Sequence, residues 1–270
     1  MSRLDLYLVQ NGIAKSRERA KEIIKNGDVS VNGKPCTKPS FDVSQQDIVD
    51  CTAKPDDLVG RGGLKLKKAF YEFDIDVSGL VCADIGASTG GFTQCLLSKG
   101  AKQVYAIDVG HGQLDESLVK DERVINCEGV NARNLESSMF EQVPEFISID
   151  VSFISLSLII KPASDVLADG GKLVALIKPQ FEAGKQALNK KGIVKSPKDH
   201  SRIIKELVCV FGNAGLKLCG ICPSAVTGGD GNIEYLAYLK KCAFDLQTET
   251  DVNSLVSEAF NTFRSNGGNL

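Results

Sequence analysis

The chain has no run approaching the roughly 18 consecutive apolar residues that a membrane-spanning helix needs. Histidine occurs only at His111 and His200, and Cys219-Gly220-Ile221-Cys222 has no second C-x-x-C pair, so a zinc or redox centre lacks its usual ligands. The nine cysteines are odd in number and scattered, and Cys82, Cys95, Cys127 and Cys209 fall in apolar runs. Reduced core thiols account for them better than a disulfide framework. Neither sign of charge dominates: a net charge of −2 excludes a globally basic nucleic-acid binder but leaves local patches open. Internal repeats and low-complexity tracts are also missing. The opening Met1-Ser2-Arg3-Leu4-Asp5-Leu6 carries Asp5 where a secretory signal is uniformly apolar, so a cytoplasmic protein is expected.

The 270 residues, 43% hydrophobic and 24% charged, suit a soluble globular chain with one large domain or a large domain plus a small one. The stretch that organises the rest is Asp84-Ile85-Gly86-Ala87-Ser88-Thr89-Gly90-Gly91-Phe92-Thr93. An apolar run, Leu80-Val81-Cys82-Ala83, precedes it and an amphipathic one follows, which predicts a buried strand, a glycine turn and a helix. In an open α/β sheet such a turn lies at the carboxyl ends of the strands, where ligands bind. The dinucleotide fingerprint requires glycine where this chain has Ser88, and the phosphate loop requires Gly-Lys-Ser/Thr where it has Gly91-Phe92-Thr93. What remains, D-x-G-x-x-x-G-G-F-T, resembles the first motif of S-adenosylmethionine (SAM) methyltransferases. Asp84, Gly86, Ala87, Ser88, Gly90 and Gly91 are the expected cofactor contacts. Asp108 closes the next apolar run, Val104–Ile107, one βα unit downstream, where an acid meets ribose hydroxyls. The competing reading of the glycines alone is an ordinary βα turn.

Residues 1–59 read as a separate small domain with its linker. A helix over Leu4–Gln10 and a second over Arg17–Asn26, capped by Ser16, lead into Val29-Ser30-Val31 and an Asn32-Gly33 hairpin turn. Eight Lys/Arg stand against four Asp/Glu over residues 1–38. Arg17, Lys21 and Lys25 share one stripe of the second helix, with Arg19 beside it. The run Ala14–Ile24 followed by Gly27–Lys34 resembles the RNA-binding module named after ribosomal protein S-four, which grips RNA through backbone and shape. Arg17, Arg19, Lys21 and Lys25 are the expected RNA contacts; the competing reading is a solvated charged face. Thr52–Gly60 reads as a linker.

Residues 60–245 read as an α/β doubly wound sheet. A helix opens at Arg61-Gly62-Gly63, and strands are predicted at Val104–Asp108, Val124–Cys127, Phe146–Asp150, Leu173–Lys178, Leu216–Ile221 and Ile233–Leu239, the last antiparallel. Helical or loop stretches fall between them, including Ser155–Leu167 and His200–Ala214. Residues 246–270 form a C-terminal helix, Val252–Arg264, and a tail.

Two apolar strands end in charge, at Asp150 and Lys178, on the edge that holds the glycine turn. An antiparallel last strand brings Glu234 to that edge, and Lys65 arrives from the helix before the first strand. A sulfonium methyl is already a strong electrophile, so the protein's tasks are in-line alignment and activation of the nucleophile. A ribose hydroxyl needs a base, and a lysine serves where burial or a neighbouring cation favours its neutral form. Lys178 is the candidate base, oriented by Asp150, with Lys65 assisting electrostatically or holding the ribose and Glu234 positioning the network. Base-amino methyltransferases carry Asn/Asp-Pro-Pro-aromatic where this chain has Asp150-Val151-Ser152-Phe153. Cytosine-carbon methyltransferases need a cysteine where it has Lys178-Pro179-Gln180-Phe181. The bland alternative is that Asp150 and Lys178 only pair at strand ends.

Taken together, Gly60-Arg61-Gly62-Gly63-Leu64-Lys65-Leu66, Asp84–Thr93, Asp150–Phe153, Lys178–Glu182, Lys191–Val194, Pro197–His200 and Gly231–Glu234 resemble the TlyA (hemolysin A) family across nearly the whole chain. The catalytic part is similar to FtsJ-type rRNA methyltransferases, whose Lys-Asp-Lys-Glu tetrad falls on Lys65, Asp150, Lys178 and Glu234. The resemblance implies SAM-dependent 2′-O-methylation of a cytidine in ribosomal RNA, with ribosomal RNA or subunits as partners and no metal. Two other readings stand beside it: a membrane-active haemolysin, and a non-catalytic ribosome-assembly factor that keeps a SAM fold.

Overall fold

The computed structural model describes residues 2–52, 62–228, 231–242 and 251–265, except 12, 15, 16, 26 and 45, and omits the side chains of residues 18, 19, 22 and 185. The expected cap Ser16, the linker over 53–60 and Arg61 lie outside the described residues. Two compact units result, Met1–Asp57 and Leu58–Leu270.

The first unit runs β1 (Ser2–Arg3), α1 (Leu4–Gln10), α2 (Arg17–Lys25), β2 (Val29–Val31), β3 (Lys34–Pro35), β4 (Asp42–Val43) and β5 (Val49–Cys51). β2 is the centre of an antiparallel sheet ordered β3-β2-β5, and β1 pairs with β4. Ala20, Ile23 and Ile24 sit at helical spacing and are buried against Leu4, Leu8 and Val29, which anchors α2 to α1 and to the sheet. Asn32 and Gly33 both have positive φ, 52° and 74°, as a type I′ hairpin turn requires. The Asn32 side chain fixes the turn by donating to Asp47 Oδ1 (2.8 Å) and accepting from the Ile48 N–H (2.9 Å).

The second unit runs α3 (Gly62–Glu72), β6 (Val81–Ile85), α4 (Gly91–Ser98), β7 (Gln103–Asp108), α5 (Glu116–Val119), β8 (Val124–Glu128), β9 (Phe146–Ile149), α6 (Ile160–Val166), β10 (Lys172–Ile177), α7 (Pro179–Glu182), α8 (Pro197–Asn213), β11 (Leu216–Pro223), β12 (Tyr235–Lys241) and α9 (Val252–Ser265). The strands form one sheet in the order β11-β12-β10-β9-β6-β7-β8. All pairs are parallel except those made by β12, which is antiparallel to both β10 and β11. The central strands are mostly apolar because both faces are covered, with Asp84 of β6 and Ser148 of β9 as buried polar exceptions. Val81, Ala83 and Ile85 of β6 enter a core with α6, α8 and α9, while Cys82 enters a second core with α3, α4 and α5. α9 is part of that first core through Val256, Ala259 and Phe260.

Two expected elements differ in detail. The stretch expected as helix or loop over Ser155–Leu167 is a 3-10 turn at Leu156–Leu158 followed by α6. Pro162 has no N–H and its ring collides with the carbonyl four residues earlier, so a continuous helix cannot pass Leu158. The last strand begins at Tyr235 rather than Ile233. Asn232 is spent instead on the preceding loop, accepting from the Val194 N–H (3.2 Å) and donating to the Gly192 carbonyl (3.1 Å).

Candidate active site

The turn after β6 is built on positive φ at Gly86 (84°), Ser88 (48°) and Gly90 (97°). A Cβ at Gly86 would collide with the Asp150 carbonyl oxygen, and one at Gly91 would lie 3.0 Å from the Gly63 N–H group. Glycine is therefore demanded by the close approach of β9 and α3 as well as by dihedral angle. Gly86 and Ala87 donate to the Ile107 carbonyl at 2.8 and 3.0 Å, tying the turn to β7. Asp108 accepts from the Ser88 N–H and from the Gly110 N–H, each at 2.8 Å, so its carboxylate holds the rim of the turn.

Asp84 lies beneath the turn, fully buried, accepting from Thr93 Oγ1 (2.8 Å) and Ser148 Oγ (3.0 Å). It thus clamps β6 to α4 and β9 instead of lining the cleft. Burial pushes its carboxyl up to about 7, against the opposing pull of the Thr93 and Ser148 hydroxyls.

Four charged side chains meet at the carboxyl edge. The register pairs Ile177 with Tyr235, so the next residues outward, Lys178 and Glu234, adjoin at the ends of β10 and β12. Lys178 Nζ lies 2.5 Å from Asp150 Oδ1 and donates to Ser152 Oγ at 2.9 Å. Lys65 Nζ donates to Glu234 Oε2 at 2.7 Å. Lys65, Lys178 and Glu234 are 9%, 8% and 3% exposed, and so largely removed from water. Removing one member of such a buried pair leaves an uncompensated charge, at a cost of roughly 3–5 kcal/mol. α3 starts against the same place: a Cβ at Gly62 would lie 3.9 Å from Asp150 Oδ2.

Several neighbours carry no role in the sequence reading, although they lie in the motifs that supply the resemblance. Ser152 fixes Lys178. Gln180 Nε2 donates to Glu234 Oε1 at 3.4 Å, while its own Oε1 is buried without a hydrogen-bond partner among the described residues. Glu182 accepts from Ser155 Oγ (2.5 Å) and the Leu156 N–H (2.8 Å), locking the loop after β9 onto the loop after β10. Phe153 holds φ at 63° and is 91% exposed, with its ring 5.1 Å from that of Phe181. A bulky residue in the left-handed region is costly and recurs at ligand clamps.

In the first unit, Arg17 donates to Asp5 Oδ2 at 3.0 Å, and Arg3 also binds this buried carboxylate. Their guanidinium groups hold the Asp5 carboxyl down at about 2. Arg17 therefore braces α2 against α1, with its side chain 45% exposed. Lys25 is exposed and Lys21 half-buried; Arg19 lies on the same helix, its side chain outside the described residues.

A mostly parallel seven-stranded sheet, with a glycine turn after its first strand and an antiparallel strand beside its last parallel ones, is the fold of the SAM methyltransferases. Residues 58–241 match the FtsJ-like methyltransferase family and residues 2–49 match the S4 domain. The chain belongs to the FtsJ-like methyltransferase family. YqxC of Bacillus subtilis is 45% identical over 238 residues, covering 88% of this chain and 85% of YqxC. The Mycobacterium tuberculosis protein named 16S/23S rRNA (cytidine-2'-O)-methyltransferase TlyA is 37% identical over 240 residues, covering 88% of this chain and 90% of TlyA. A solved Streptococcus thermophilus structure carrying the name hemolysin is 39% identical, with a TM-score of 0.81 and 98% of each chain covered. Among the described residues, no helix is long and apolar enough to cross a membrane.

Proposed function

We propose that this protein methylates the 2′-hydroxyl of a cytidine in ribosomal RNA, with SAM as methyl donor and Lys178 as general base. The observation that carries the proposal is the pair of ion pairs, Lys178–Asp150 and Lys65–Glu234, at the sheet edge beside the glycine turn. The turn fits the donor: Gly86 and Gly91 leave no room for a side chain, and Asp108 stands at the rim with a carboxylate suited to ribose hydroxyls. Gly86, Ala87, Ser88, Gly90, Gly91 and Asp108 would hold the donor, with Asp84 bracing them from below. When bound, SAM supplies an electrophilic methyl group on sulfur.

The rest is the work of the chain's own side chains. Lys178 donates to the Ser152 hydroxyl and lies against the Asp150 carboxylate as an ion pair, which holds its Nζ at the sheet edge with donor positions to spare. In its amine form Lys178 accepts the ribose hydroxyl proton there, and Asp150 compensates the ammonium that results. Lys65, held by Glu234, offers a second cation to the oxygen as charge develops on it. The exposed ring of Phe153 gives a splayed base a surface to stack on. Support for the substrate comes from the matched S4 domain and from the activity that the mycobacterial relative's name carries. Ribosomal RNA as substrate also fits the cytoplasmic placement expected from the sequence.

The test is Lys178→Ala assayed with labelled SAM and ribosomal subunits. Methyl transfer is expected to fall by about 10²–10⁴-fold, the usual contribution of a positioned acid or base, while SAM still binds. Unchanged transfer would remove Lys178 from the mechanism.

A further inference from the structure

Behind the catalytic edge lies an open groove of about 700 Å³ between α8 and α9. Its floor is apolar, formed by Val256 and Phe260, and its walls carry Lys198, Arg202, Lys205 and the carboxylate Glu206 of α8 and Arg264 of α9. The three α8 cations stand at i, i+4 and i+7, one stripe of the helix. Arg202 is tied to Glu206 at 3.0 Å and Asp199 at 3.5 Å, so its charge is spent locally. Lys205 donates to the neutral Asn253 at 3.3 Å. Among the described residues, no carboxylate pairs with Lys198, Lys205 or Arg264. A chain of net charge −2 thus gathers uncompensated positive charge along one groove.

Topology connects this groove to the candidate active site. β11 runs parallel to β10, because both are antiparallel to β12. α8 leads into β11 and so begins at the carboxyl edge. His200, in the first turn of α8, meets the Tyr235 hydroxyl at 2.9 Å, and Tyr235 follows Glu234. α9 runs back beside α8, with Asn253 opposite Lys205 and Arg264 lining the groove with Pro197. The cations therefore extend from the rim that holds Glu234 down the flank of the sheet, over roughly 12 Å of helix between Pro197 and Lys205. The walls also supply neutral hydroxyl and amide groups at Ser257 and Asn261. Three cations without a carboxylate partner among the described residues, set beside neutral hydrogen-bonding groups and with the lining carboxylate Glu206 held by Arg202, suit a phosphodiester backbone.

We infer that the α8–α9 groove is a docking track for the backbone of an RNA strand that flanks the methylated nucleotide. The inference rests on the proposed function, and it gives the methyltransferase unit a hold on RNA of its own, apart from the S4 domain.

The test uses the full chain with Lys198→Glu, Lys205→Glu and Arg264→Glu combined. Direct binding to ribosomal subunits is measured at several salt concentrations, alongside SAM affinity and the KM for subunits. The expected result is at least a tenfold rise in KM and a slope of log affinity against log salt shallower by about two, with SAM affinity matching the unmutated protein. Lys198→Arg with Lys205→Arg should keep both the KM and the slope, which separates charge from fold. An unaltered salt slope in the reversed variant overturns the inference. So does a photo-crosslinker at Ser257→Cys that captures a ribosomal protein instead of RNA. Subunit binding is read without catalysis, so label transferred to no RNA by the unmutated enzyme would count against the methylation reading alone.

Discussion

Asp84 shows how one buried carboxyl can link the glycine turn to pH. Its pKa is raised to about 7 by burial, against 3.8 for a free aspartate. The folded state therefore holds the proton more tightly than the unfolded state. Its contribution is fully present below pH 4, falls as pH rises, and levels off above pH 7. The whole effect is at most about 4 kcal/mol. Asp84→Asn keeps a neutral group of the same shape and lacks this titration. The melting temperature of the variant should gain steadily on that of the unmutated protein between pH 4 and 7. A constant difference over that range would show that Asp84 ionises without penalty. At the same scale, Cys82, Cys95 and Cys222 are buried and their thiols are pushed up to about 12, so they pack as small apolar side chains.

At the scale of elements, the loops after β9 and β10 act as one part because Glu182 joins them. It accepts from Ser155 and Leu156, and burial raises its pKa. Glu182→Ala should leave SAM affinity near its starting value and cut the methyl-transfer rate by about 10²-fold, the effect of a catalytic group displaced by about 1 Å. A rate within twofold of the unmutated enzyme would make the clamp incidental. Much of this level was legible in the sequence. The run into Gly86 and the charged ends at Asp150 and Lys178 follow from apolar strands that stop at charge. The antiparallel sense of β12 was legible too. The burial of Lys65 was not, because it stands off the apolar stripe of α3 and the Glu234 it meets lies 169 residues away. Where the regular helix begins within residues 155–167 was not legible either; Pro162 keeps α6 from extending back through Leu158. Local periodicity reports local faces, and a partner that arrives from the far end of the chain leaves no mark on it.

For the whole molecule, the first unit and the methyltransferase unit each bring cations to the same proposed substrate. Lys21→Glu with Lys25→Glu should weaken binding to ribosomal subunits and flatten the salt dependence by about two in slope, with SAM affinity unmoved. Equal affinity at low and high salt, before and after substitution, would assign these lysines to a solvated face. Arg17→Glu should behave differently: it removes a partner of the buried Asp5, so the first unit loses stability as well as charge.

The position of β12 also has a consequence for how the protein is made. It is the last strand in sequence yet lies inside the sheet, between β11 and β10. During synthesis β10 and β11 emerge first and cannot pair with each other in the final order, so both edges wait for residues 235–241. The ion pair of Lys65 waits as well, since Glu234 emerges just ahead of that strand. Non-local pairing of this kind is slow and exposes unpaired edges meanwhile. The cluster of four charges thus closes in the same event as the sheet, and a nascent chain that has not yet inserted this strand holds the glycine turn without the complete cluster of charges proposed to act beside it.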